Sequence, residues 1–447
     1  MPTWADIMIP PEPLVPTGFD QVTVRLGDDT YNTCNPGIGD ADGDGLDEVA
    51  VPLIENDRCR IALYKGDGSE LWHNDDVRFF NDYYSDPAAH RGTHWHARSR
   101  HRHLFTHVFD IDGDGAPEVV CADGPVWVLD ARTGAIKAEI DLEAHVQAWC
   151  PARLDGPDAP PSLVAGIEYR DGAGSAIIAI GPSLGVERLV PVEGRRFEDA
   201  LWGGDVDRDG YDEIVFSPDT TRSMFLLDRD GRVRWSQRID GVLGDDTHVD
   251  DLVVDSILPG KGRQILMATG PALLDPDGGI LWALGDRYHH AQRVLAVPTG
   301  GDAKHVYFCE SYKRAAYLLD QRGTERWKFD GFQRPADEYA GKVIPRLTTA
   351  GCLCDWFGTG RPVIVQAEVA CARPENVPEL EGKGTFYVVL LTPNGEVVAT
   401  IPFEDTLDGW GGAMCARRGR FASPDTDGLV VIAHSNSRLY FFSRRGP

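Results

Sequence analysis

Three segments of this sequence set carboxylates at alternate positions beside a glycine. They read Asp40-Ala-Asp42-Gly-Asp44-Gly-Leu-Asp-Glu48, Asp110-Ile-Asp112-Gly-Asp114-Gly-Ala-Pro-Glu118 and Asp205-Val-Asp207-Arg-Asp209-Gly-Tyr-Asp-Glu213. Calcium takes about six to eight oxygen ligands in a flexible geometry, and a tight loop with acids at its first, third, fifth and ninth positions offers such a set. The candidate ligands are Asp40, Asp42, Asp44 and Glu48; Asp110, Asp112, Asp114 and Glu118; and Asp205, Asp207, Asp209 and Glu213. An ion there would be structural, pinning a corner of the chain. A metal-free turn held by Asp side chains is the competing reading, because Asp favours turns by itself. Related segments at Asp155-Gly-Pro-Asp and Asp355-Trp-Phe-Gly have lost the ligands.

A second concentration of chemistry lies between Asp86 and Asp110. This stretch has no acid, but four arginines (Arg91, Arg98, Arg100, Arg102) and six histidines (His90, His94, His96, His101, His103, His107). Guanidinium groups bind carboxylate or sulfate as a fork, and imidazoles move protons near neutral pH. The ligand expected from this composition is a small or threadlike anion. His94-Trp-His96 and His101-Arg-His103 also make zinc possible.

The elements that must hold these groups repeat. Each Asp loop joins two apolar strands and is followed by a hairpin such as Met224-Phe-Leu-Leu-Asp228-Arg-Asp230-Gly231-Arg-Val-Arg-Trp235. An Asp-Gly turn between alternating apolar residues is a strong hairpin signal. Hairpins recur at 62–72, 126–140, 176–190, 224–239, 272–284, 316–329, 386–403 and 439–445, with loop positions near Asp40, Asp110, Asp155, Asp205, Asp255, Gly300, Asp355 and Arg420. A spacing of roughly 50 residues matches the four-stranded blade of a propeller. The reading is therefore all-β: one β-propeller domain over residues 1–447, of about eight blades, with seven as the alternative. The last repeat lacks its fourth strand, and the early strand 21–26 is expected to supply it and close the ring. Residues 74–106 form an insertion, since Asp40 and Asp110 are 70 apart in numbering. It should overhang one mouth of the propeller.

Equal offset from the Asp loop should place residues in a ring at that mouth. Seven positions before each loop stand Thr33, His103, Ala148, Glu198, His248 and Thr348, and local matching adds His290. Three histidines in so short a set stand out in a chain with 13. Capping of strand ends by these histidines is the plain alternative. Trp149, Trp202 and Trp410 are expected near the same mouth, either stacking on sugar rings or filling the channel.

Composition narrows the partners. A formal charge of −26 disfavours nucleic acid and anionic membrane. No run of 18 apolar residues is present, so no membrane span is expected. Nine cysteines without close pairs argue against a disulfide framework; Cys34, Cys150, Cys352, Cys354 and Cys415 read as small strand residues. The start of the chain shows no export signal, so a cytosolic protein, or a secreted one with its signal removed, is expected, and a monomer.

The Asp-loop blades resemble FG-GAP/VCBS propeller repeats. More narrowly, the chain resembles rhamnogalacturonan lyase-like and ulvan lyase-like polysaccharide lyases. The resemblance rests on Asp110–Glu118 and its copies, on His290-Ala-Gln-Arg-Val-Leu with Val306-Tyr-Phe-Cys-Glu310, and on Asp355-Trp-Phe-Gly-Thr-Gly-Arg361. It implies β-elimination on a saccharide in which a uronic acid adjoins rhamnose. For the ulvan type it implies two histidines, then a tyrosine and an arginine, for which His73, His94, Tyr169 and Arg188 are the matching positions. The expected proton-transfer groups are His94, His103 and His290, and Arg100 and Arg102 would hold the carboxylate. His248, Glu198 and Trp202 complete the binding set. Elimination needs the uronate charge neutralised, a base for the C5 proton and an acid for the leaving oxygen, and this mouth offers all three. A rhamnose–glucuronate glycosidase would need paired carboxylates, and a non-catalytic binding propeller would need none of this chemistry.

Overall fold

The computed structural model describes residues 8–9, 18–26, 31–32, 36–55, 58–78, 105–122, 125–169, 172, 174–193, 197, 200–244, 248–310, 315–331, 334–335, 343–372, 383–406, 414–433 and 438–445. Eight antiparallel blades form a ring, which settles the blade number at eight rather than seven. The first strands of the blades are Gly37–Gly39, Phe105–Phe109, Ala144–Ala152, Leu201–Gly204, Leu252–Asp255, Ala291–Pro298, Val343–Cys354 and Met414–Gly419. Most neighbouring first strands pack on one another, so they line the axis and the fourth strands lie outermost.

Burial follows from this layering. Second and third strands are covered on both faces and read as unbroken apolar runs, as in Glu118–Ala122 and Ser175–Ile180, where every residue is buried. Fourth strands alternate, as in Val233–Arg238. The core is not one mass. Eight apolar clusters fill the eight seams between neighbouring blades.

The expected closure is present. Phe19–Arg25 pairs antiparallel with Arg438–Arg444, setting Val22 opposite Phe441 and Val24 opposite Leu439. The N-terminal strand thus completes blade eight and removes a free edge. The seam between blades eight and one is also stapled by polar groups: Arg420 N–H donates to Asp47 Oδ2 at 2.7 Å, and Asp47 N–H donates to Arg420 O at 3.0 Å.

A second device recurs along the ring. Trp72, Trp235, Trp282 and Trp327 sit in fourth strands, and each indole N–H donates to a backbone carbonyl in the hairpin turn of the next blade. The acceptors are Ala131 O at 2.8 Å, Pro276 O at 2.9 Å, Gln321 O at 3.2 Å and Pro393 O at 3.1 Å. Each ring lies over the glycine of that turn; a Cβ on Gly278, at φ +85, would come within 2.8 Å of Trp235. Each of these tryptophans also follows its own turn glycine by four positions, a spacing that the hairpin pattern alone did not single out.

Cys121, Cys150, Cys309, Cys352 and Cys354 are free. Among the described residues, no helix is long and apolar enough to cross a membrane. The insertion at 74–106 and the histidines and arginines it carries lie almost wholly outside the described residues.

Candidate functional site

Chemistry converges where the first strands of blades five and six begin. His248 and Asp250 precede Leu252–Asp255, and His290 precedes Ala291–Pro298. The imidazoles stand edge to face with centroids 5.6 Å apart. Asp250 lies between them: its Oδ1 is 3.2 Å from His248 Nε2, and its Oδ2 is 3.8 Å from His290 Nδ1. The three side chains are only 11–19% exposed.

The backbone around this trio is held tightly. Thr269 hydroxyl donates to Asp250 Oδ2 at 2.7 Å, and Asp250 N–H donates to the same hydroxyl at 2.9 Å. Thr269 and Ala291 exchange backbone hydrogen bonds of 2.7 and 3.1 Å, which ties the end of a blade-five strand to the start of blade six. Both Thr269 (φ +71) and His290 (φ +53) adopt left-handed backbone, which costs a non-glycine residue about 1 kcal/mol or more. Behind them the short helix Asp240–Leu243 approaches so closely that a Cβ on Gly270 would stand 2.2 Å from Val242 O. Asp251 Oδ2 accepts from Val294 N–H at 3.0 Å and its Oδ1 lies 3.7 Å from Arg293 Nη1. Buried Glu310 accepts from His289 N–H at 2.7 Å.

His248, placed by equal offset, and His290, placed by local matching, do meet. Asp250, which joins them, was not singled out from sequence, although the His-x-Asp spacing at 248–250 was available. Ala148, at the same offset, is buried in the seam between blades three and four. Trp149 is buried between blades two and three and meets His107 edge-on, with centroids 4.8 Å apart. Trp202 packs against the seam between blades four and five. His94, His103, Arg100, Arg102, Glu198 and Trp410 lie outside the described residues, and nothing is described of the Thr33 and Thr348 side chains.

Of the histidine–tyrosine–arginine set implied by the ulvan resemblance, the described members His73, Tyr169 and Arg188 stand on different strands of two blades, and His94 lies outside the described residues. His73 is on the outermost strand of blade one, exposed, with Nδ1 2.6 Å from Glu70 and Nε2 3.7 Å from Asp75. Arg188 is on the outermost strand of blade three and pairs with Asp155 at 2.5 Å. Tyr169 ends the second strand of blade three and packs against the seam with blade two. Outermost strands are farthest from the axis, so His73 and Arg188 are carried to the rim.

The Asp loops lie between the first and second strands, at the other end of the blade. Asp40, Asp42 and Glu48 bring ligand atoms within 4.8 Å of one another, as do Asp110, Asp112 and Glu118, and Asp205, Asp207 and Glu213. Each of these groups could hold a metal ion. The fifth-position acids stand outside these groups: Asp44, Asp114 and Asp209 accept from the N–H of Leu46, Ala116 and Tyr211 at 2.8–2.9 Å, and Asp44 and Asp114 also meet Lys65 and Lys137 at 2.8 and 3.1 Å. A basic side chain from the same blade enters every cluster. Lys65 reaches Asp42 at 2.6 Å, Lys137 reaches Asp112 at 2.5 Å and Glu118 at 2.7 Å, and Arg234 reaches Asp207 at 2.6 Å. Burial and the neighbouring carboxylates push Glu48 and Glu213 up to about 7. Blade five has a neutral version, in which Gln264 Oε1 accepts from Ile257 and Leu258 N–H at 2.9 and 2.7 Å, as the glutamates do elsewhere.

The architecture defines the class, an eight-bladed β-propeller with a polar cluster at one mouth. Among solved structures, the chain is similar to the exotype rhamnogalacturonan lyase YesX (TM-score 0.54, 17% identity, covering 95% of this chain and 76% of that one). It is also similar to the rhamnogalacturonan lyase PL11 of Bacillus licheniformis (TM-score 0.50, 16% identity, 97% and 74%). The computationally designed protein Ika8 matches as well (TM-score 0.52, 14% identity, 94% and 98%). At such identities the likeness shows the fold alone. No family model matches the chain and no curated protein is similar to it, so the FG-GAP/VCBS resemblance has only the Asp loops behind it.

Proposed function

We propose that this propeller binds a uronate-containing, rhamnose-linked saccharide at the mouth and cleaves it by β-elimination. The observation that carries the reading is the imidazole–carboxylate–imidazole cluster of His248, Asp250 and His290, beside Arg293, where two first strands begin. The fold it shares with rhamnogalacturonan lyases agrees with this. In the reaction a base takes the C5 proton, the C5–H electrons form the C4–C5 double bond, the C4–O bond breaks, and the leaving oxygen takes up a proton. His290, beside Asp250 at 3.8 Å, is the base within the described residues, and His248 the proton donor. His94 and His103 on the insertion are further proton-transfer candidates. Arg100 and Arg102 would hold the carboxylate, and Glu198 and Trp202 would contact sugar.

The Asp-loop clusters suit calcium by donor chemistry: three carboxylates each, one of them a buried glutamate. Calcium bound by Asp40, Asp42 and Glu48 and by the two equivalent sets would supply structural charge neutralisation. Lys65, Lys137 and Arg234 would then yield those oxygens. The protein would act as a monomer, with neither nucleic acid nor membrane as partner, as its −26 charge favours.

The test is a panel of uronate polysaccharides and oligosaccharides, followed by ultraviolet absorbance for the unsaturated uronate and by reducing-end release. The expected result is a rise in both. His290→Gln should lower the rate about 10²- to 10⁴-fold, the usual share of general acid–base catalysis. Reducing ends without the new double bond would replace the lyase by a glycosidase, and affinity without turnover would leave a binding module.

A further inference from the structure

The geometry points to a divalent transition-metal site, of the zinc class, formed by His248 Nε2, an Asp250 carboxylate oxygen and His290 Nδ1. It uses residues of the proposed catalytic cluster, but rests on their placement and not on the lyase reading. All three donor atoms lie within 4.8 Å of one another. Zinc bonds of about 2.0–2.1 Å at tetrahedral angles put neighbouring donors roughly 3.4 Å apart. His248 Nε2 is 3.2 Å from Asp250 Oδ1 and His290 Nδ1 is 3.8 Å from Asp250 Oδ2, distances on either side of that value, so the carboxylate faces one imidazole with each oxygen. Two nitrogens and one oxygen suit zinc, cobalt, nickel or copper, whereas calcium prefers all-oxygen sets such as the Asp loops.

The supports are those of a ligand clamp. Metal-bound carboxylates are themselves hydrogen-bonded, and Asp250 Oδ2 takes the Thr269 hydroxyl at 2.7 Å. Two of the six non-glycine residues with positive φ among the described ones are Thr269, which makes that bond, and His290, which is a ligand. Their backbone bridge fixes the two blades in register before any ion arrives. The ligands are 11–19% exposed, so an ion would be reachable yet poorly hydrated by bulk water. Three protein ligands leave a fourth tetrahedral position for water or an anionic oxygen.

A metal and a proton compete for the same imidazole lone pairs. If elimination uses His290, stoichiometric zinc therefore suppresses it while calcium does not. The site becomes a place where a transition metal regulates the mouth.

The experiment is cobalt(II) titration of the full-length protein, with calcium in excess to fill oxygen sites, read by visible d–d absorption and by calorimetry without saccharide. The expected result is one ion per chain with the intense absorption of four-coordinate cobalt, displaced by zinc. His290→Gln and His248→Gln should each weaken that binding at least tenfold, and Asp112→Asn should leave it unchanged. Circular dichroism of each variant, together with retention of the remaining ligands' fold, separates loss of a ligand from loss of structure. No cobalt binding, or binding that survives His290→Gln at full strength, would overturn the proposal. Because no saccharide is present, a chain that binds cobalt but does not cleave keeps the metal site and loses the lyase reading. The converse result keeps the lyase reading and loses the site.

Discussion

At the scale of single residues, the same side chain behaves differently according to what surrounds it. His73 on the rim is exposed and sits against Glu70 and Asp75, while His290 is enclosed beside Asp250. His107, in the first strand of blade two, is a third case. Burial, aided by the Arg417 charge, lowers it from the usual 6.5 to about 4, so it stays neutral in the folded protein. The unfolded chain takes up that proton first, so stability is fully present above about 6.5 and is lost as pH falls towards 4. Thermal melts from pH 8 down to pH 4 should show the gap between His107→Phe and the parent narrowing or reversing in favour of the variant below about 6.5. Parallel curves would place the acid sensitivity in other groups.

At the scale of elements, what matters is how one blade grips the next. Trp235 of blade four covers Gly278 of blade five and donates to Pro276 O at 2.9 Å. Trp235→Ala should cost about 2–3 kcal/mol, below the range for a fully buried aromatic because this ring is only half-buried. Gly278→Ala should cost about 1–2 kcal/mol, since φ is +85 and the added methyl would meet the ring. The double variant should lose less than the sum, because without the ring the steric part of the glycine penalty is gone. Additive losses in urea melts would show that the two residues are not coupled. The Asp loops are the other inter-blade element. Asp47 and Asp212 reach backbone N–H groups of the preceding blade at 2.7 and 2.6 Å, so these loops carry structural contacts of their own apart from any ion.

At the scale of the whole molecule, the ring depends on one strand from the start of the chain. Phe19–Arg25 is the fourth strand of blade eight, and Val22 and Val24 lie against Gly68 in the turn of blade one. Deleting residues 1–26 should expose the Arg438–Arg444 edge and part of the seam between blades eight and one. The expected outcome is a melting point lower by about 10 °C or more with aggregation on size exclusion, as ring closure is lost and an edge is opened. A truncated chain as stable and monodisperse as the parent would mean that closure contributes little.

How much of this was legible beforehand depends on the range of the interaction. Asp-Gly hairpins, Asp loops and apolar runs are local, written within about a dozen residues, and from them followed eight repeats, the all-β class and closure by an N-terminal strand. Equal offset for His248 and local matching for His290 even set the two at one mouth, because a repeated blade carries equivalent positions to equivalent places. Only the tertiary structure could decide that Asp250 lies between these imidazoles, since this needs the bridge of Thr269 to Ala291 across two blades. It also decided that His73 and Arg188 go to the rim, because distance from the axis is set by strand order within a blade and not by spacing along the chain. Lys65, Lys137 and Arg234 in the acidic clusters belong to the same class of fact. Local patterns specify which strands form; the closing of the ring specifies which side chains meet.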